Sequence, residues 1–223
     1  MSKRELEFST KYTLKHSQQY HHKHQKTLGR RISNWREQQM AARALALAGH
    51  PTSVLDLPCG TGRFWPLLAR KQDRTILAAD NSEAMLAVAQ EVNPPTLLAR
   101  VKPFPCSAFD IPMGNDSVDH IFCMRLLHHI TQPKDRLAIL KEFHRVTRDT
   151  VALSLWVDGN YKALRRQKLE ARRTHKSYQN RIVIERKVIE REFGDAGFVI
   201  TGHFDFLKFY AMWRLYVLKK NPS

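Results

Sequence analysis

The chain lacks several features that would classify it at once. Its 223 residues include three cysteines, Cys59, Cys106 and Cys123, with no metal-ligand spacing among them. Unpaired thiols in a reducing cytoplasm are the expected state. No apolar run is long enough to span a membrane, and the opening Met1-Ser2-Lys3-Arg4-Glu5-Leu6-Glu7 has no signal-peptide core. A cytoplasmic chain is therefore expected, at most peripheral to the inner membrane surface. There is no Gly-Lys-Ser/Thr phosphate loop. The third glycine of a dinucleotide fingerprint is also missing, because Trp65 stands three residues after Gly62. NAD is disfavoured on that ground.

Acidic residues are scarce, 21 Asp and Glu against 37 Lys and Arg, for a formal net charge of +16. The excess is not spread evenly. Residues 1–50 hold ten basic and three acidic residues, net +7, and residues 158–191 hold eleven and four, net +7. Residues 51–157 and 192–223 each come to +1. A neutral core with two positive segments points to an anionic partner met by those segments. The cluster Tyr20-His21-His22-Lys23-His24 lacks an acidic or thiolate companion and reads as a solvated face, so no metal is expected.

What is present centres on Val54-Leu55-Asp56-Leu57-Pro58-Cys59-Gly60-Thr61-Gly62-Arg63. A short apolar run ending near an acid reads as a buried strand, followed by a glycine turn and a helix start. Glycines admit close approach of a ligand to the backbone, and a helix N-terminus favours a carboxylate or phosphate. A second strand, Arg74 to Ala79, ends in Asp80, one βαβ unit after Asp56. An acid there suits a ribose diol, and Asn81 and Ser82 can cap the next helix without it.

Further along, residues 97–106 contain a third strand and Val118 to Met124 a fourth. Leu126-Leu127-His128-His129-Ile130 follows the fourth strand, then a Pro133-initiated helix with Leu137, Leu140, Phe143 and Val146 on one face, then a strand from Thr150 to Val157. Before the glycine turn, helix is expected from about Glu5 and more clearly as an alanine-rich stretch from Arg30 to Ala48, with Ser33 as a candidate N-cap and Gly49-His50-Pro51 as the stop. After the fifth strand, Tyr161 to Arg173 reads as a basic helix with Leu164 and Leu169 as apolar anchors. A helix over 185–196 and strands over Phe198–Phe206 and Tyr210–Leu218 complete the chain.

The run Asp56-Leu57-Pro58-Cys59-Gly60-Thr61-Gly62, then Asp80-Asn81-Ser82 with Met85-Leu86, then Ile111-Pro112 with Asp116-Ser117-Val118-Asp119, then Leu127-His128-His129-Ile130, resembles the UbiE-like (type 11) branch of the class I S-adenosylmethionine (SAM)-dependent methyltransferases. The resemblance covers about half the chain. It implies an α/β, Rossmann-like seven-stranded sheet with strand seven antiparallel and inserted between strands five and six. On this reading residues 1–223 form a single domain. It comprises a basic helical extension (1–50), a SAM-binding core (51–157), a basic helical lid inserted after strand five (158–184) and the rest of the core (185–223).

The same resemblance assigns SAM contacts to Asp56, Pro58, Gly60, Thr61, Gly62, Arg63, Asp80, Asn81, Ser107, Ala108, Phe109 and Met124. Asp56 would anchor the turn or the methionine ammonium, Arg63 the carboxylate and Asp80 the ribose. Ser107 stands where the family tends to have an aspartate beside the adenine. His128 or His129 would serve as general base if an oxygen or nitrogen acceptor must lose a proton; otherwise the pair packs or caps the next helix. Tyr20, Arg31, Arg36, Arg165 and Arg166 are the candidates for contact with an anionic acceptor, a small molecule, lipid or glycan headgroup. Two alternatives stay open: an RNA acceptor, with aromatics among the cations available for stacking, or a non-enzymatic binder of nucleic acid or anionic membrane on the same fold.

Overall fold

The computed structural model describes residues 27–171 and 181–221. Its helices are α1 (Leu28–Leu47), α2 (Trp65–Leu68), α3 (Glu83–Val92), α4 (Pro95–Leu98), α5 (Pro133–Val146), α6 (Tyr161–Ala171) and α7 (Arg186–Asp195). Its strands are β1 (Ser53–Asp56), β2 (Thr75–Asp80), β3 (Val101–Pro105), β4 (Val118–Met124), β5 (Thr147–Trp156), β6 (Phe198–Asp205) and β7 (Trp213–Lys220). Tyr20, the histidine cluster around it, Arg172 and Arg173 lie outside the described residues.

One sheet holds all seven strands in the order β3-β2-β1-β4-β5-β7-β6. Pairings from β3 through β5 are parallel, while β7 runs antiparallel to both β5 and β6. This is the expected sheet, with strand seven between five and six. The order reverses between β1 and β4, so the crevice outside their carboxyl ends is the natural ligand site.

Strand alternation builds a core on each face. Leu55, Ile121, Val151 and Leu153 face Leu140 and Phe143 of α5 and Ile189 and Phe193 of α7. Val54, Ile76, Phe122 and Ala152 face Met40 and Ala44 of α1 with Trp65 and Leu68 of α2. Leu137 of α5 is only half-buried, and Ile139 takes a core position beside Leu140.

Two local expectations need correction. Helix α1 is capped by Thr27, whose hydroxyl accepts the Arg30 N–H, so Ser33 is not the N-cap and lies inside the helix. Leu164 and Leu169 do not anchor α6. Both are more than half exposed, and the small Ala163 is the buried residue. The Asn93-Pro94-Pro95 segment opens a helical turn, α4, with proline at its first position.

Helices α5 and α7 are held together by a buried bidentate pair. Arg136 donates Nε to Glu192 Oε2 at 2.8 Å and Nη2 to Oε1 at 2.5 Å, and its Nη1 caps the carbonyls of Ile130 and Thr131. Removing one partner leaves the other buried and uncompensated. Arg136→Met alone should lose ~3–5 kcal/mol in urea unfolding, and adding Glu192→Leu should restore most of it. Equal losses in the single and double variants would show that the pair's burial is not what the single change disturbs.

Candidate active site

The crevice at the carboxyl ends of β1, β2 and β4 is built on the turn after β1. Gly60 has φ +56° and Gly62 φ +74°, both in the left-handed region. The two glycines do different work. A Cβ on Gly60 would meet nothing within 4 Å, which leaves open space beside the backbone. A Cβ on Gly62 would lie 2.6 Å from the Trp65 ring, so Gly62 lets the turn pack on its own helix. Asn93, at the end of α3, reaches back to donate to Thr61 O at 3.1 Å and pins the turn from behind.

Asp80 closes the other side. Its Oδ2 accepts the Gly60 N–H at 2.9 Å and its Oδ1 accepts the Ser82 N–H at 2.9 Å. Ser82 itself caps α3 through Met85 N–H, so the cap does not need Asp80. Burial raises the Asp80 pKa to about 6, against the pull of the two backbone donors. Each carboxylate oxygen can still accept a second hydrogen bond.

Asp56 is deeper than the sequence implied. It is 1% exposed, does not line the crevice, and its Oδ2 has no hydrogen-bond partner among the described residues. Burial first, then the charge of Asp80, push its pKa well above the ordinary range.

Of the other expected contacts, Pro58, Thr61, Arg63, Asn81, Ser107, Ala108 and Met124 line the crevice with Gly60 and Asp80. Gly62 and Phe109 do not, and Phe109 packs against the core. Arg63 is at the wall but already engaged. Its Nη2 meets Glu37 Oε2 at 2.6 Å, its Nη1 meets Asn34 Oδ1 at 3.1 Å, and its guanidinium covers the Phe64 ring.

His128 and His129 reach the inner end of the crevice, with ring centroids 4.2 Å apart. His128 is buried, stacks on Trp156 at 5.2 Å and meets the edge of Trp213 at 4.9 Å. Burial, then His129 and the guanidiniums of Arg181, Arg125 and Arg166, hold its pKa well below the usual histidine value. It is a neutral imidazole and a poor proton acceptor. The buried Nδ1 has no hydrogen-bond partner among the described residues.

The candidates for acceptor contact separate. Arg36 is a structural pin, donating Nε to Phe206 O and Nη2 to Asp205 O. Arg31 lies away from the crevice, in a surface hollow with Trp35 and Arg70. Arg165 is exposed on α6. Arg166 comes nearest. It pairs with Glu170, donates to Arg181 O at 2.8 Å and lies over the Trp156 ring.

Several wall residues were not foreseen. Trp213 opens β7, and Arg181 enters from the far end of the insertion. Arg125 follows β4 at φ +66°, a conformation that non-glycine residues hold only when their surroundings fix it. Its N–H bonds Ser154 Oγ and its guanidinium covers Trp213 while pairing with Glu37. Glu37 of α1 thus bridges Arg63 and Arg125. Burial would raise its pKa, but the two guanidiniums outweigh that and lower it. The basic character of residues 1–50 concealed this one buried acid, whose helical position carries no motif.

Residues 54–150 match the protein family described as "Methyltransferase domain". That match takes in a little under half of the chain, and the fold around it is that of the class I SAM-dependent methyltransferases. Over 112 residues the chain is 34% identical to the methyltransferase GfsG of Streptomyces halstedii, which is half of this chain but only 38% of that protein's length. Among solved structures it is similar to magnesium protoporphyrin IX methyltransferase (ChlM) from Synechocystis PCC 6803 with bound SAH, with a TM-score of 0.69 at 17% identity over 88% of this chain and 89% of that one. The (4+2) cyclase SpnF is also similar, with a TM-score of 0.61 at 15% identity over 83% and 82%. At such identities the likeness fixes the fold, and a fold that also serves a cyclase leaves the reaction to be argued from the site.

The unequal work of the two glycines is measurable. Gly62→Ala combines a left-handed backbone with overpacking on Trp65 and should cost ~2–4 kcal/mol of stability. Gly60→Ala carries only the backbone term, ~1–2 kcal/mol. Equal losses in urea unfolding would remove the distinction.

Proposed function

We propose that the chain is an enzyme that binds SAM in this crevice and transfers its methyl group to a small acceptor. The observation that carries the reading is the Gly60–Asp80 arrangement. An open left-handed turn stands beside a buried carboxylate with acceptor capacity to spare, at the point where the strand order reverses. A ribose diol supplies the two donors such a carboxylate lacks. Ser107 and Ala108 would border the adenine, and Gly60, Thr61 and Pro58 the methionine portion. SAM carries a sulfonium whose methyl is already activated, so the protein's task is alignment and exclusion of water.

The acceptor belongs at the inner end, where Arg125, Arg181 and His129 join Trp213. Cationic groups beside aromatic walls suit an anionic acceptor with apolar surface. His128, buried and held neutral, would back the wall against which the acceptor sits. His129, half-buried at the same wall, is the better placed of the pair to receive a proton. Helix α6 and Arg181, the described parts of the 158–184 insertion, would cover this end, as a lid selecting charge. No helix among the described residues is long and apolar enough to cross a membrane.

A second reading, an RNA acceptor, has one observation in its favour. Trp35 is 60% exposed beside Arg31 and Arg70 in the hollow between α1 and α2, where a base could stack on the ring. RNA that competes with the acceptor and binds with a steep salt slope would favour it.

Calorimetric titration with SAM tests the first reading. Asp80→Asn should weaken SAM binding by ~1.5–3 kcal/mol, the value of a hydrogen bond to a charged group. The wild-type affinity should fall as pH drops through about 6, because the protonated Asp80 carboxyl accepts ribose hydrogen bonds less well than the carboxylate. The Asn variant should show no such fall. Unchanged affinity in the variant, or a wild-type profile flat from pH 7 to 5, would remove the ribose assignment. The acceptor class is read by incubating labelled SAM with fractionated extract and finding which fraction gains the methyl.

A further inference from the structure

Outside the crevice, the carboxyl end of β5 carries a surface that methyl transfer does not use. The loop from β6 to β7 and the start of α6 are joined by backbone bonds, Tyr161 N–H to Phe209 O at 2.9 Å and Lys162 N–H to Tyr210 O at 3.1 Å. The joined segments expose Tyr161, Leu164, Leu207, Phe209 and Tyr210. Phe209, at 74%, is the most exposed large apolar side chain among the described residues. It also sits at φ +62°, which a bulky side chain rarely adopts. Strain and exposure together cost the isolated chain stability and return no packing.

The charged groups seated against these rings are lysines. Lys208 Nζ lies 5.0 Å from the Phe209 ring and Lys162 Nζ 5.0 Å from the Tyr210 ring, and Tyr210 stacks on Tyr161 at 5.7 Å. No Asp or Glu occurs from Tyr161 to Leu169 or from Phe206 to Met212. An exposed patch of rings with lysines against them suits the headgroup layer of a bilayer. Rings settle there with their polar edges wet, and lysines meet lipid phosphates.

We infer that this surface docks the chain on an anionic phospholipid bilayer, with Phe209 inserted and Lys162 and Lys208 set against the phosphates. The consequence for access follows from the chain path. Trp213, in the crevice wall, begins β7 a few residues after Phe209, so the crevice rim lies close to the docked surface. An acceptor residing in that layer would reach the crevice along the rim. Docking needs no SAM and no turnover, so its failure would leave the methyl-transfer reading intact.

Flotation of the full chain with vesicles of phosphatidylcholine and phosphatidylglycerol, against phosphatidylcholine alone, tests the inference. Phe209→Asn removes the ring while keeping a residue that tolerates positive φ. It should lower partition onto anionic vesicles about tenfold. Lys162→Glu with Lys208→Glu should lower it at least tenfold. SAM affinity, measured in parallel, should stay at the wild-type value in all variants and certifies folding. Absence of vesicle binding, binding insensitive to Phe209→Asn, equal binding to neutral vesicles, or the same Phe209 dependence on RNA in place of lipid would each overturn the proposal.

Discussion

The hydrogen bond from the Gly60 N–H to the Asp80 carboxylate, next to the one from the Cys59 N–H to the Ala79 carbonyl, joins the turn after β1 to the end of β2. It is made from a left-handed turn, with Gly60 at φ +56°, a conformation that glycine holds without strain. Asp80 is buried, which raises its pKa to about 6 and makes it dependent on donors. Around this bond the remaining parts are arranged in order of depth. Asp56 lies beneath, Asn93 holds the turn from behind, and Ser82 fixes the other carboxylate oxygen while starting α3. Two carboxyls in one buried neighbourhood oppose each other's ionisation. The shape of the site thus comes at a cost that hydrogen-bond donors from a ligand would offset.

A second layer of order comes from Glu37. The segment that carries it is strongly basic, yet this buried acid bridges Arg63 and Arg125. Helix α1 is thereby part of the crevice and does more than cover the sheet. Arg36, one residue earlier, fixes the same helix to the carbonyls of Asp205 and Phe206. Consecutive residues hold α1 to the site on one side and to the β6–β7 loop on the other. The positions of the crevice and of the exposed aromatic tip are therefore set by one helix.

The sheet was legible because its strands are short apolar runs between clear breaks. The segment Val118–Met124 is bounded by Asn115-Asp116 before it and the histidine pair after it, and it is the strand found. The order of strands came from the family resemblance rather than from periodicity. Side-chain roles were less legible. Gly60 and Gly62 look alike in a motif, and only the position of Trp65 separates a glycine beside open space from a packing one. Arg36 and Arg63 look like free cations in sequence, but partners 169 and 26 residues away claim them. Leu164 and Leu169 look like anchors, yet the helix seats itself through Ala163. Trp213 and Arg181 carry no local signal, because the fold alone brings them to the crevice.

The most direct measurement is a crystal structure of the chain with S-adenosylhomocysteine, which keeps the ribose and the amino-acid portion. The ribose hydroxyls are predicted on the Asp80 carboxylate, with the amino-acid portion along the Gly60 turn and the sulfur turned toward His129 and Trp213. Density for the nucleoside at another face, or a ribose with no contact to Asp80, would contradict the assignment of this crevice.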